Sequence, residues 1–235
     1  MKMGIPNREM PMNETVKQLI IGALISDGEI RKYKYSASLH FQSSDEDYVL
    51  FKQRLLEENG IPTKTYTYRK KANGTINHYI RTPVTYKNLL EFCQRYEREG
   101  LPFLLSQVND LGIALWIFDD GSLNEKNRIY LYSFKRDKNK QEILANFLNE
   151  KGFECCVVKE GSAHKIQFNV NSSAQLAELI RPYCVPSMER KINIAPRERE
   201  CGWCGNKFTF TNAQSLYCCD ECKWLAKKKD VRVLL

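Results

Sequence analysis

Two short apolar stretches of this chain end in the same way. Residues 20–28 read Ile-Ile-Gly-Ala-Leu-Ile-Ser-Asp-Gly, and residues 113–121 read Ile-Ala-Leu-Trp-Ile-Phe-Asp-Asp-Gly. Each is long enough for roughly two or three helical turns. Each closes on Asp-Gly, where glycine can take the left-handed conformation that ends a helix. Asp27 and Asp120 are therefore expected at helix C-termini, where the macrodipole is negative and a carboxylate is disfavoured. One such arrangement is ordinary core packing. Two call for a compensating cation, and a divalent metal is the simplest.

The residues between the stretches repeat as well. Asn13 is a good N-cap for a helix running to Ser26, with Glu14 in its first turn. Alternation through Ile30, Tyr33, Tyr35, Ala37, Leu39 and Phe41 reads as strand, with a turn or irregularity allowed near Lys34. Ser44-Asp45 opens a helix that stops at Asn59-Gly60. A hairpin over 63–68 and 77–82 turns near Asn73-Gly74, and a helix covers 86–97. The second cycle starts with Asn109 or Asp110 as cap. It continues with a strand over 129–134, a helix over 138–150, a hairpin over 153–159 and 165–170, and a helix capped by Ser172-Ser173. Leu55–Ile61 answers Phe147–Phe153, and Tyr86–Leu90 answers Ser173–Ala177. A diverged duplication accounts for this, and its pseudo-two-fold would bring Asp27 and Asp120 together.

The expected organisation is a leader over 1–12, a first repeat over 13–105, a second over 106–192, a linker over 193–200 and a small module over 201–235. The formal net charge of +8 points to a polyanionic partner, most simply nucleic acid. No apolar run approaches a membrane span and residues 1–12 hold no secretory core, so the chain reads as intracellular, in cytoplasm or nucleoid, with no membrane partner.

Basic residues gather on one hairpin. Residues 62–82 hold Lys64, Arg69, Lys70, Lys71 and Arg81, interleaved with Tyr66, Tyr68 and Tyr79 and free of acid. With Lys32 and Lys34 on the first strand they form a candidate DNA surface, since a twisted β-ribbon fits the major groove.

Five of the nine cysteines fall in the last 35 residues. Cys201-Gly-Trp-Cys204 is followed after thirteen residues by Cys218-Cys219-Asp-Glu-Cys222. Two thiolate pairs at this spacing suit tetrahedral Zn²⁺, with Cys218 or Cys219 completing the second pair. Lys227, Lys228 and Lys229 follow on a basic helix suited to DNA backbone.

The two stretches resemble the motif of the LAGLIDADG homing endonucleases. The first keeps Gly22 at the third position and Asp27-Gly28 at the end. The second, Trp116-Ile-Phe-Asp-Asp-Gly-Ser122, is similar to a variant common in the branch found with mobile introns and inteins. Pro186-Ser187-Met188 resembles the end of that domain. The resemblance covers residues 13–192 and implies the monomeric, single-chain, two-repeat form. It implies an α/β fold, a pseudo-two-fold duplicated αββαββα arrangement whose two saddle-shaped antiparallel sheets lie over double-stranded DNA. The last acid of each motif then binds the catalytic Mg²⁺, which carries over to Asp27 and Asp120 and leaves Asp119 a non-ligand neighbour. A basic or amide side chain near each strand end carries over to Gln42 and Lys135. Motif two departs from the family in having Leu115 where glycine is usual, so close helix approach falls to Ala114 and to Gly22 and Ala23 opposite. The tail is similar to treble-clef-like zinc modules appended to nucleases, which implies Cys201, Cys204, Cys218 and Cys222 as ligands. The activity implied is site-specific double-strand DNA cleavage; the alternatives are an intron-RNA maturase and a non-catalytic DNA-binding regulator.

Overall fold

The computed structural model describes residues 8–26, 28–69, 74–194, 198–209 and 215–232. The first repeat runs α1 (Glu14–Ile25), β1 (Glu29–Lys32), β2 (Ala37–Ser43), α2 (Glu46–Glu57), β3 (Lys64–Arg69), β4 (Ile76–Arg81) and α3 (Lys87–Glu99). A short connector, α4 (Leu101–Leu105), leads to the second: α5 (Asp110–Asp120), β5 (Gly121–Leu123), β6 (Ile129–Leu131), α6 (Lys138–Glu150), β7 (Cys155–Glu160), β8 (Ala163–Phe168) and α7 (Val170–Ile180). Both repeats are αββαββα. Their four-stranded antiparallel sheets have the same topology, β1-β2-β4-β3 and β5-β6-β8-β7.

The apolar stretches form α1 and α5, which pack on each other between the sheets. Both helices are apolar nearly all round, the pattern of a helix with no solvent face. Leu19, Ile20 and Ile21 are buried in α1, and every residue from Leu111 to Phe118 in α5. The absence of glycine at Leu115 is met from across the interface. A side-chain carbon added to Gly22 would stand 3.4 Å from Leu115 Cβ, so the small residue of one helix receives the large residue of the other. At the opposite end buried Gln18 of α1 bridges to the start of α5. It donates to the Gln107 carbonyl (2.8 Å) and accepts from the Asn109 amide (3.2 Å). Asn13 and Asn109 cap their helices through side-chain oxygens, as read from the sequence.

Several local expectations shift. The turn allowed near Lys34 forms at residues 33–36, so the stretch from Ile30 to Phe41 is a hairpin of β1 and β2 rather than one strand. The strand expected over 129–134 ends at Leu131, and Phe134 stands at φ 49° in the turn that follows. The three-residue β5 has too little sequence to show alternation. Helix α7 is capped by Asn169, not by Ser172-Ser173. Those serines accept from the Glu154 amide (2.8 Å) and the Ile129 amide (2.9 Å), satisfying backbone that no strand partners. Residues 8–12, within the expected leader, are tied down. Met10 is buried, and its amide and carbonyl both bond the Asn88 side chain (2.9 and 2.8 Å).

After α7 the chain crosses back through two 3₁₀ turns to α8 (Glu189–Ile192), burying Met188 and Ile192. There Ser187 donates its amide to Asp47 (2.9 Å) and Arg190 pairs with Asp45 (2.7 Å), so the end of repeat two closes on α2 of repeat one. Strands β9 (Glu198–Glu200) and β10 (Lys207–Thr209) form a separate ribbon, followed by α9 (Asp220–Arg232). Part of the stretch read as linker is thus strand. Among the described residues no helix is long and apolar enough to cross a membrane.

The Gln18 bridge makes a test of the helix interface. A side-chain carbon at Gly112 would lie 2.2 Å from Gln18 Oε1 and 3.3 Å from Val108 Cγ1. Gly112→Ala is expected to displace Gln18 from both partners and to cost about 1–3 kcal/mol in urea unfolding; an unchanged midpoint would show that the bridge relaxes freely.

Candidate active site

The C-terminal ends of α1 and α5 meet at the interface of the repeats. Asp27 lies outside the described residues, so the geometry rests on its neighbour Ser26 and on the second motif. Ser26 Oγ lies 2.8 Å from Asp119 Oδ2, joining the third-from-last residues of the two motifs. Asp119 is nearly buried and forms an ion pair with Lys52 of α2, whose Nζ stands 2.7 and 2.9 Å from its two oxygens. Asp120 points the other way. Its carboxylate accepts from the Ser133 hydroxyl, and that oxygen accepts in turn from the Trp116 indole (2.5 Å). Asp120 and Asp119 line a cleft of about 610 Å³ together with Ile25, Ser26, Ser133 and Lys135. The expected pair Asp120 and Lys135 is thus brought to one cleft. A carboxylate and a cationic side chain lining one cleft suit a hard divalent ion that carries water and phosphate oxygens.

A second cleft, of about 350 Å³, opens on the repeat-one side of Asp119, lined by Gln42, Ser43, Asp45, Arg190 and Lys191. Gln42 sits here, its Oε1 accepting from the Tyr68 hydroxyl (2.9 Å). Lys191 donates to the carbonyls of Phe118 (2.6 Å) and Asp119 (3.0 Å), the free C-terminal carbonyls of α5. Burial pushes its ammonium below the ordinary lysine range, while the carboxylates of Asp119 and Asp120 pull it back up. Sequence reasoning missed Lys52, Arg190 and Lys191. The charged run after Pro186-Ser-Met carried a faint signal for the last two; Lys52 carried none, being one lysine on an amphipathic helix.

Strand register sorts the basic residues by face. His40 lies opposite Arg81, Gln42 opposite Tyr79, Tyr66 opposite Tyr79 and Lys64 opposite Arg81. These side chains, with Arg31, share the sheet face turned away from the helices. Arg81 lies over the Tyr66 ring (5.3 Å) and donates to its hydroxyl (3.1 Å). Lys32 has the opposite parity and pairs with Glu97 of α3. Arg69 also has the helix-side parity, opposite Ile76, on the exposed part of β3. Lys34 occupies the β1–β2 turn beside Tyr35. Lys70 and Lys71 lie outside the described residues, as do the side chains of Lys227 and Lys229. Lys228 stands 3.7 Å from the Trp224 ring centre. In the second sheet Lys165 lies over the Tyr130 ring (4.1 Å), with Gln167 directly opposite Tyr130.

In the tail, one ligand atom from each of Cys201, Cys204, Cys218 and Cys222 lies within 4.8 Å of the others. Cys204 and Cys218 sulfurs are 3.7 Å apart, and Cys218 and Cys222 sulfurs 3.5 Å. Tetrahedral zinc with bonds of ~2.3 Å places its sulfurs about 3.8 Å apart, so the set fits a metal ion. Gly205, at φ 75°, turns the first knuckle, and its amide returns to the Cys201 carbonyl (3.0 Å). Cys219 is exposed, its sulfur 3.8 Å from that of Cys218.

Comparison with known proteins agrees with this architecture. The family model described as the LAGLIDADG DNA endonuclease family matches residues 17–176. A probable intron-encoded DNA endonuclease 3 of Mycosarcoma maydis is 34% identical over 93 residues, covering 38% of this chain and 67% of that protein. The cytochrome b mRNA maturase bI2 of Debaryomyces hansenii is 26% identical over 203 residues, covering 79% of this chain and 76% of the maturase. The homing endonuclease I-WcaI bound to its DNA recognition sequence has a similar fold, with a TM-score of 0.65 and 22% identity over 82% of this chain and 95% of that one.

The Ser133 hydroxyl is the joint between the core and the cleft. Ser133→Ala is expected to leave the buried Trp116 indole without its acceptor, lowering stability by about 1–3 kcal/mol. Urea unfolding followed by tryptophan fluorescence checks this.

Proposed function

Because the chain belongs to the LAGLIDADG DNA endonuclease family, we propose that it is a site-specific, Mg²⁺-dependent endonuclease acting as a monomer on double-stranded DNA at a long recognition site. The observation that carries the reading is the meeting of α1 and α5, with Asp120 and Lys135 lining one cleft at their end. Asp27 and Asp120 would hold the divalent cation, which supplies an activated water and neutralises charge at the scissile phosphate. The chain's own residues do the rest. Ser133 orients Asp120. Lys135 meets a phosphate oxygen on one strand, and Gln42 and Lys191 serve the second cleft. Two clefts on either side of Asp119 serve two strands, giving a staggered double-strand break.

The outer face of the first sheet, with Lys64, Arg81, Arg31, Gln42 and the tyrosines, lies along the DNA in this reading. Lys32 and Arg69, expected from sequence as contacts, have helix-side parity and take a lesser part. The tail holds Zn²⁺ through Cys201, Cys204, Cys218 and Cys222, and the lysines of α9 grip the backbone of the duplex. The protein works inside the cell, at the nucleoid or its equivalent. A second reading, an intron-RNA maturase, is favoured by similarity to the bI2 maturase over most of both chains.

The deciding experiment selects cleaved sites from a randomised duplex library with Mg²⁺. Discrete double-strand cuts are expected, with Asp27→Asn and Asp120→Asn each slowing cleavage on the order of a thousandfold or leaving nicks. Binding without cutting by the wild-type chain would overturn the enzyme reading, and splicing of intron RNA would then test the second. On the selected site, Arg81→Ala is expected to weaken binding and lower the salt slope by about one, whereas Lys32→Ala leaves the slope unchanged; equal effects would overturn the face assignment.

A further inference from the structure

Asp119 and Ser26 hold the same third-from-last place in the two motifs. Between them runs a link that only one arrangement of the repeats can make. Asp119 pairs with Lys52 at 2.7 Å, and the two side chains are 6% and 3% exposed. Among the described residues it is the ion pair with both partners below a tenth exposed. The repeat correspondence that aligns Leu55 with Phe147 places fully buried Leu144 where repeat one has Lys52. Repeat one in turn has Ser26 where repeat two has Asp119. The pair therefore exists only between repeats.

Stability alone gives no reason for it. A buried ion pair is often matched or bettered by apolar residues of the same volume, because desolvation offsets the attraction. Its placement does. Lys52 Nζ is boxed by the rings of Phe41 (4.6 Å) and Tyr48 (4.4 Å), and the Tyr48 hydroxyl donates to the Leu115 carbonyl of α5 (3.2 Å). Its position relative to α5 is thereby set. Asp119 passes that position to Ser26, whose hydroxyl proton is shared between Asp119 (2.8 Å) and the Gly22 carbonyl (2.6 Å). The next residue after Ser26 is Asp27, and the next after Asp119 is Asp120.

We propose that Lys52 is a positioning residue of the cleavage reaction: through Asp119 and Ser26 it fixes how the ends of α1 and α5 stand against each other, so that both strands are cut at matched rates. This rests on the endonuclease reading above. Misplacement of reacting groups by about 1 Å can cost ~100-fold in rate, so the contribution is to turnover rather than to DNA affinity.

The test compares Lys52→Met, Asp119→Asn, the double variant Lys52→Met/Asp119→Asn, and Ser26→Ala, using a duplex site that the wild-type chain cuts. Melting temperature, duplex affinity and the single-turnover rate on each strand are read separately. Each charge-breaking single variant strands a buried ion and is expected to melt on the order of 10 °C lower. The double variant buries no unpaired charge, so it is expected to recover the wild-type melting temperature and affinity. It is nevertheless expected to cut at least about tenfold more slowly and to accumulate nicks. Ser26→Ala is expected to melt near wild type while slowing one strand more than the other. A double variant that cuts both strands at the wild-type rate, or a Ser26→Ala protein with unchanged strand rates, would make the pair structural only. A wild-type chain that cuts nothing would overturn the endonuclease reading itself and leave Lys52 no reaction to serve.

Discussion

The contact of α1 with α5 is the interaction on which the rest depends. Two helices without a polar face can be buried only against each other and against sheets on either side. Gly22 of one faces Leu115 of the other, close enough that an added side-chain carbon would be in contact. At one end Gln18 closes the interface with hydrogen bonds, and at the other the two motifs converge. Each sheet packs on this pair, so sheets and clefts inherit its geometry.

The convergent end is costly by design. It gathers carboxylates where helix dipoles already point their negative ends. The fold compensates from two directions. Lys52 comes from α2 of the first repeat and neutralises Asp119. Lys191 comes from the return segment after the second repeat and caps the last carbonyls of α5. Asp119 is thereby neutralised where the two clefts adjoin, and Asp120, in the first of them, accepts from Ser133. Adjacent acids in one dipeptide have different environments, and the difference comes from which way the helix turns each side chain.

The succession of helix, one or two strands, helix, hairpin and helix was legible because it rests on local physics: periodicity, Asn caps, and glycine turns such as Gly60, Gly100 and Gly152, all at positive φ; the full αββαββα count was implied only by the family resemblance. Failures occurred where a residue's role depends on distant backbone. Ser172 and Ser173 look like caps in sequence, but Glu154 and Ile129 amides claim their hydroxyls. Lys32 and Arg31 are equivalent in composition. Only the register of β1 against β2 sends one to α3 and the other to the outer face.

The sequence by itself determined that the chain is duplicated, that two acid-ended apolar helices lie at its centre, and that a four-cysteine module follows. Helical and strand periods, capping chemistry and ligand spacing are properties of short segments. Tertiary structure alone decided which acid would pair with Lys52 and which with Ser133. Lys52 and Asp119 stand 67 residues apart, and Lys191 lies 72 residues beyond Asp119. No local pattern encodes such pairs, since they form only when both repeats and the return segment close around one dyad.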